Sequence, residues 1–391
     1  MIRKIAAVTG TRAEYGILSP VLREIQARPS LELQLLVTGM HLSPEFGLTF
    51  QQIEEDGFPI SEKLEIILSA DTETAISTSI GLGIISFSKS YEHLKPDILL
   101  LLGDRFESLA AATAAMVARI PIGHIAGGHT GQGAIDEAIR HSITKMSHLH
   151  FTSMLAYRDR IIQMGEQPDR VFVTGTPSVD GIKQVELLDK EDLEVALGLD
   201  LSRPAFLVVY HPVTLEKGSA GHQIDQLLAA LSHFGSKFIF IMPNADTEGR
   251  TIAHQIDTFV KRNPASKVFV NLKRHLYLNL LRFVSVMVGN SSGGIIEAPS
   301  FELPVVNVGE RQRSRIQARN VIDCGNDAES IVQAINQAIG PTFKESLRGL
   351  ANPHGDGDSS KRIVDVLEGV ELGQDLLKKK FFDIRLSGAS L

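Results

Sequence analysis

Short, almost wholly apolar runs alternate with amphipathic stretches along the entire chain, and this alternation limits the accessible folds more than any other feature. KIAAVTG (4–10), LQLLVTG (33–39), DILLLLGD (97–104), IPIGHIAGG (120–128), LHFTS (149–153) and VFVTG (171–175) form one series. AFLVVYH (205–211), KFIFIMP (237–242), KVFV (267–270), VSVMVGNS (284–291) and PVVNVG (304–309) form a second. Runs of this length without polar alternation read as strands buried on both faces of a parallel sheet. Stretches such as PVLREIQA and FESLAAATAAMVAR supply the crossover helices. The charged segment 184–204, ending in Pro204, separates the two series. The prediction is an α/β chain of two Rossmann-like, doubly wound parallel-sheet domains, each of five or six strands, facing a central cleft. Residues 1–190 form the first domain, 191–370 the second, and 371–391 a closing helix and tail. A length of 391 residues agrees, because single cores stop growing at roughly 250–300 residues.

Hydrophobic residues at 43% and charged residues at 22% describe an ordinary packed protein. A net charge of −7 argues against nucleic acid and anionic membrane surfaces as partners. A single cysteine, Cys324 in VIDCG, excludes an internal disulfide framework and a multi-cysteine zinc site. It reads as an inert thiol at the end of a buried strand. MIRKIAAVTGTR lacks the apolar stretch and cleavage site of a signal peptide. No run approaches the ~20 apolar residues of a membrane span, and the expected location is cytoplasmic.

In open α/β sheets, ligands bind beyond the carboxyl ends of the strands. The turns to inspect are therefore TGTRAEYG, LLGDRFES, GHIAGGHTGQGAIDEAIRH, VVYHPVT and VGNSSGG. GNSSGGIIEAPS (289–300) carries the sharpest nucleotide signal. Ser291 and Ser292 offer hydroxyls, while Gly293 and Gly294 allow close backbone approach. The helix that follows aims its first amides outward, and Glu297 lies one turn on, placed for ribose hydroxyls. Capping alone would need less than this set, and the absence of GK[ST] excludes a Walker loop. TGTRAEYG (9–16) lacks GxGxxG; its Arg12 either reaches a diphosphate or is a solvated arginine. Asp104 and Arg105 follow a strongly apolar strand, where Asp104 is either an N-cap or a general base with a tuned pKa. His211, before Pro212, ends the first strand of the second series; a lone histidine is usually structural, and this position sets a functional role beside that reading on equal terms.

Within 123–141, Ile135, Ile139, Ile143 and Met146 form an apolar stripe at helical spacing. That places Asp136 and Arg140 on one flank and Glu137, His141 and His148 on another. A metal site would require His124, His129 and His141 to converge, yet their spacing matches no zinc template. No metal and no cofactor are expected.

Taken together, these motifs resemble the hydrolysing UDP-N-acetylglucosamine 2-epimerases of sialic and legionaminic acid pathways. The matching segments are TGTRAEYG, GDRFES, HIAGG…IDEAIRHSITKMSH, VTGTPSVDGI, HPVT, GNSSGGIIEAPSFELPVVNVGERQ and NPHGDGDSSKRI, in order. IRHSITKMSH points to the hydrolysing branch. The resemblance implies a GT-B-like fold whose C-terminal helix packs back on the first domain, and a homodimer or homotetramer. It also implies a reaction in which UDP leaves C1 as the C2 proton is removed, giving a 2-acetamidoglucal. Water then adds and releases the free 2-epimer. By the same resemblance Asp104, Asp136, Glu137 and His211 are catalytic. Arg12, Arg105, Ser291, Ser292, Gly293, Glu297 and Arg311 bind the UDP-sugar. Family members commonly carry glutamate within HI-x-GG-x, where this chain has Ala126 and His129. The departure points to a different sugar, such as UDP-N,N'-diacetylbacillosamine. His129 is then either a substitute proton carrier or a contact to an altered C4 or C6 substituent. Competing readings are a non-hydrolysing UDP-GlcNAc 2-epimerase, a GT-B glycosyltransferase and a nucleotide-sugar sensor.

Overall fold

A computed structural model describes residues 2–68, 70, 72–131, 134–243 and 246–384. Gln132 and Gly133 of the glycine-rich stretch, and the final tail residues 385–391, lie outside the described residues. Each of the eleven apolar runs falls on a strand. The first sheet contains β1 (Arg3–Thr9), β2 (Leu31–Thr38), β3 (Ile60–Leu64), β4 (Ile98–Leu102), β5 (Ile122–Ile125), β6 (Leu149–Thr152) and β7 (Val171–Val173). The second contains β8 (Ala205–Val209), β9 (Lys237–Ile241), β10 (Lys267–Phe269), β11 (Val286–Gly289), β12 (Val305–Val308) and β13 (Val321–Cys324). Their orders are β3-β2-β1-β4-β5-β6-β7 and β10-β9-β8-β11-β12-β13. Every neighbouring pair is parallel. Two doubly wound sheets result, as the alternation predicts.

The first sheet has one strand more than expected. β3, ISEKL, is an edge strand whose residues alternate between half-buried and exposed, so it carries no apolar run to betray it. β13 corrects a second detail. It is the outer strand of its sheet, and Cys324 is only half-buried. Burial still pushes the Cys324 thiol up to about 12, which keeps it protonated and unreactive.

Each sheet is covered on both faces. Ile5, Leu100 and Leu149 pack towards the helix Arg12–Gln26, and Leu99, Leu101 and Ile122 towards Phe106–Ala118. The second sheet is filled in the same way around Phe206, Val288 and Val306 on one face and Leu207, Met287 and Val305 on the other. Close to the chain end, the helix Ser359–Gly369 joins the core of the first sheet through Ile363, Val364 and Leu367, followed by Leu376. Its start is fixed by the buried Asp180, which accepts from the Ser359 and Ser360 amides at 3.0 and 2.5 Å. A carboxylate at a helix N-terminus meets both the orphan amides and the helix dipole. No helix among the described residues is long and apolar enough to cross a membrane.

Leu367 is fully buried, so Leu367→Ala is expected to destabilise the protein by about 2–5 kcal/mol. An unshifted urea midpoint for the first unfolding transition would show that this helix is not part of the first core.

Candidate active site

Strand order reverses between β1 and β4 in the first sheet and between β8 and β11 in the second. Chains diverge at these points and leave crevices at the carboxyl ends. β1 runs into the Thr11-Arg12 turn, where Thr11 caps the helix Arg12–Gln26 by accepting from the Glu14 amide at 3.2 Å. β4 runs into Asp104 and Arg105. Arg105 holds the N-cap position of the helix Phe106–Ala118, so Asp104 is not its cap and is left for other partners.

Across the cleft, Asn290 ties the ends of β8 and β11 together. Its Oδ1 accepts from the His211 amide and its Nδ2 donates to the His211 carbonyl, both at 2.7 Å. Arg12, His211, Ser291, Ser292, Gly293, Glu297 and Arg311 line a single cavity of about 180 Å³. Ser291 also caps the short helix Ser292–Ile296, accepting from the Gly293 amide at 3.3 Å. A side chain at Gly293 would collide with the Tyr277 hydroxyl and press on the Glu297 carboxylate, so glycine is required for the wall to close. Glu297 is ion-paired with Arg274. Burial, with Arg311 adding to it, pushes the His211 imidazole down to about 3, and its buried Nδ1 has no protein partner. His211 therefore offers a neutral imidazole to the cleft. Arg274 and Tyr277 line the same cavity but escaped the sequence reading, because RHLYLNL looks like any helix.

The first sheet supplies the acids. The helix Asp136–Met146 carries Arg140, one of the largest fully buried side chains at 2% exposure. Its guanidinium is ion-paired with Asp104, donates to Glu137 Oε2 at 2.7 Å and donates to the His129 carbonyl at 3.1 Å. Glu137 also accepts from the Gly131 amide at 2.7 Å and pairs with His141 Nε2 at 3.0 Å. Burial works against its charge, but the His141 and Gly131 hydrogen bonds hold Glu137 below the usual carboxylate range. Asp136 points elsewhere, towards Arg311 at 3.9 Å. Burial and the neighbouring Asp246 push its carboxyl up to about 6.

The expected flanks need correcting accordingly. Glu137 and His141 meet as expected, but Arg140 also pairs with Glu137, across the expected flanks, and His148 lies beyond the helix end, just before β6. Ile139 and Ile143 are buried as the stripe predicts, whereas Ile135 is exposed. Arg140 was legible only as a charge one turn beyond Glu137.

Arg105 forks onto Glu107, Nε to Oε2 at 3.0 Å and Nη2 to Oε1 at 3.2 Å, and reaches Asp246 of the second lobe at 3.4 Å. Behind it, buried Glu14 accepts from the Gly10 amide at 2.7 Å. Burial, with Glu107 beside it, pushes Glu14 up to about 7.

The histidines of the glycine-rich stretch do not share a point. His124 Nε2 faces the Gly103 carbonyl at 2.7 Å. His129 is buried, stacked on Tyr157 at 4.1 Å, with Nε2 3.3 Å from Ser153 Oγ. His141 sits on Glu137. Among the described residues, no three His, Cys, Asp or Glu side chains are grouped to hold a metal ion. Ala126, at the start of the loop, holds a left-handed φ of +67°, a conformation that costs an L-residue roughly 1–2 kcal/mol.

The family model for UDP-N-acetylglucosamine 2-epimerase matches residues 23–368. The chain belongs to that family. It is 39% identical over 385 residues to a GDP/UDP-N,N'-diacetylbacillosamine 2-epimerase (hydrolyzing) of Campylobacter jejuni, covering 98% of this chain and 99% of the relative. It is 37% identical over 380 residues to a UDP-N,N'-diacetylbacillosamine 2-epimerase (hydrolyzing) of Legionella pneumophila, covering 97% and 99%. A crystal structure of UDP-GlcNAc 2-epimerase from Neisseria meningitidis bound to UDP-GlcNAc matches with a TM-score of 0.81 at 21% identity, covering 93% of this chain and 99% of that one. The fold of this 2-epimerase family member is thus GT-B-like, two parallel-sheet lobes about one cleft.

Two measurements test the electrostatics. Arg140→Met leaves two carboxylates without their cation and is expected to cost about 3–5 kcal/mol. Asp104→Asn and Arg140→Met combined should cost less than their sum, and strict additivity would disprove the pairing. Glu14 titrates higher in the folded chain than unfolded, so the folded state keeps its proton longer. Stability is then fullest below about pH 4.5 and falls as pH rises to about 7, by on the order of 3 kcal/mol. Glu14→Gln should flatten that decline in urea midpoints between pH 4.5 and 8.

Proposed function

We propose that this chain is a hydrolysing UDP-sugar 2-epimerase acting on a UDP-linked 2-acetamido sugar. One observation carries the reading: Arg311, which lines the cavity that would receive the diphosphate, reaches Asp136 of the acid-bearing helix at 3.9 Å. Arg12, Arg311, the Ser291–Gly293 turn and His211 receive UDP, and Glu297 receives the ribose once Arg274 yields. Positive charge and helix amides aimed at the leaving diphosphate lower the cost of breaking the C1–O bond. The C2 proton passes to Asp104 or Asp136 as that bond breaks, leaving a C1=C2 double bond and free UDP. Water then adds its oxygen at C1, and a proton returns to C2 on the opposite face. Asp136, with its carboxyl near 6, can hold or release a proton at neutral pH. Glu137, kept ionised, suits the water or the second proton. Arg105 positions the sugar side, and Ala126 and His129 stand where specificity is set.

Two relatives named for N,N'-diacetylbacillosamine support UDP-N,N'-diacetylbacillosamine as the substrate and legionaminic acid synthesis as the pathway, with UDP-GlcNAc and ManNAc as the sialic acid counterpart. The same reading places the enzyme in the cytoplasm as a homodimer or homotetramer. The lobes are then 1–190 and the residues from 191 onward, with the return to the first lobe beginning at the helix Ser359–Gly369, before the expected boundary at 370.

Incubation in deuterated water with each UDP-sugar, followed by NMR, is expected to show UDP and a free 2-epimer carrying deuterium at C2. A nucleotide-sugar equilibrium without UDP release would identify a non-hydrolysing epimerase instead, and an absence of free 2-epimer without added acceptor would point to a transferase.

A further inference from the structure

The helix Asp136–Met146 carries Asp136, Glu137 and Arg140 in its first turns, yet no side chain caps its head. Ile135 holds the N-cap position, makes no cap hydrogen bond through its side chain and is exposed. Its amide donates to Thr214 Oγ1 of the second lobe at 3.0 Å. The register of the acids therefore depends also on the other end of the helix, about 12 Å beyond Glu137.

That end is closed by a segment far along the chain. Lys379 Nζ donates to the Lys145 and Ser147 carbonyls at 2.7 and 2.5 Å and pairs with Glu166 at 2.7 Å. An ammonium has three N–H donors, and three acceptors meet it here. Glu166 is buried and accepts from Lys145 of the same helix at 2.5 Å. Beyond Lys379 the segment stays seated: the Phe382 amide donates to the Gly165 carbonyl at 2.9 Å, and Gln167 Nε2 donates to the Lys380 carbonyl at 3.2 Å. The Phe381 ring occupies the space that a side chain at Gly165 would need. The Lys145 ammonium lies 5.2 Å from the centre of that ring, within cation–π range. Resting on the epimerase reading above, we propose that residues 378–384 form a strap that sets the position of the acid-bearing helix, with Lys379 as a positioning residue for the reaction. Lys379 lines neither the nucleotide cavity nor the cavity around Asp136, and it acts through the helix alone. A small shift of that helix misaims Asp136 and Glu137 together, and rate falls steeply with such displacement. The nucleotide cavity is built largely by other elements, so the effect falls on turnover and spares UDP binding.

The test uses the full chain with Lys379→Met, which removes the ammonium, and Phe381→Ala, which removes a ring that is itself 65% exposed. Turnover of the UDP-sugar and inhibition by UDP are measured beside amide exchange in residues 142–146. Lys379→Met should lower kcat about tenfold, leave UDP inhibition within about twofold and speed exchange in the last turn of the helix. Phe381→Ala should do the same with a loss of about threefold in kcat. Faster exchange with unchanged kcat would make the strap purely structural and overturn the proposal, as would a parallel loss of turnover and UDP inhibition. Should Lys379→Met not fold, Phe381→Ala decides alone. UDP release by the wild type from neither UDP-GlcNAc nor UDP-N,N'-diacetylbacillosamine overturns the epimerase reading and with it the role of Lys379 in the reaction. Exchange unchanged in both variants overturns the strap and leaves the epimerase reading standing.

Discussion

A buried guanidinium organises this site. An arginine keeps its charge even when enclosed, and enclosing it is costly unless it is fully paired. Arg140 meets that demand with Asp104 from the end of β4, Glu137 from its own helix and the His129 carbonyl from the glycine-rich loop. Three separate chain segments are thereby fixed to one point. The two carboxylates can stand close without repelling because the cation sits between them. The acid set is a consequence of where Arg140 is buried.

The same economy joins the lobes. The segment after β12 docks on the glycine-rich loop: Thr130 Oγ1 donates to the Ser314 carbonyl at 2.8 Å, and Arg315 Nε donates to the Thr130 carbonyl at 2.9 Å. The Ile316 amide donates to the Tyr157 hydroxyl at 3.1 Å, and Tyr157 is the ring on which His129 stacks. Arg311, in that segment, reaches the Asn290 carbonyl at 3.0 Å and approaches Asp136. One short stretch thus sets both the anion cradle and the environment of an acid. Opening the cleft would disturb Asp136 and Arg311 together.

How much of this was legible in the sequence depends on the range of the interaction. Strands buried on both faces announce themselves because hydrophobicity is local, and every apolar run became one. β3 did not, because ISEKL is an edge strand with charged residues at its exposed positions. The turns at the switch points were found from position and residue type, including Asp104 and the Ser291–Gly293 turn. Choices set by tertiary contact were beyond reach. Nothing in DEAIRH tells that Glu137, not Asp136, shares Arg140 with Asp104, or that Ile135 leaves the apolar stripe for solvent. Glu107 and Glu14 look like ordinary helix-start acids, and only the packed structure shows them buried behind Arg105.

The far end of the helix Asp136–Met146 shows what kind of motion the site allows. Buried Glu166 accepts from Lys145 at 2.5 Å and His150 at 3.1 Å, and pairs with Lys379 at 2.7 Å. Lys379 also donates to the Lys145 and Ser147 carbonyls at 2.7 and 2.5 Å, satisfying the orphan acceptors of the helix end. Burial opposes the charge on Glu166, but His150, Lys145 and Lys379 hold it near 2, so this anchor stays ionised at neutral pH. With Arg140 fixing one end and Glu166 the other, sliding the helix would break buried charge pairs at both. Glu137 and Arg140 therefore keep their places at the head of this helix. A preorganised acid set of this kind suits the proposed reaction, in which charge develops at C1.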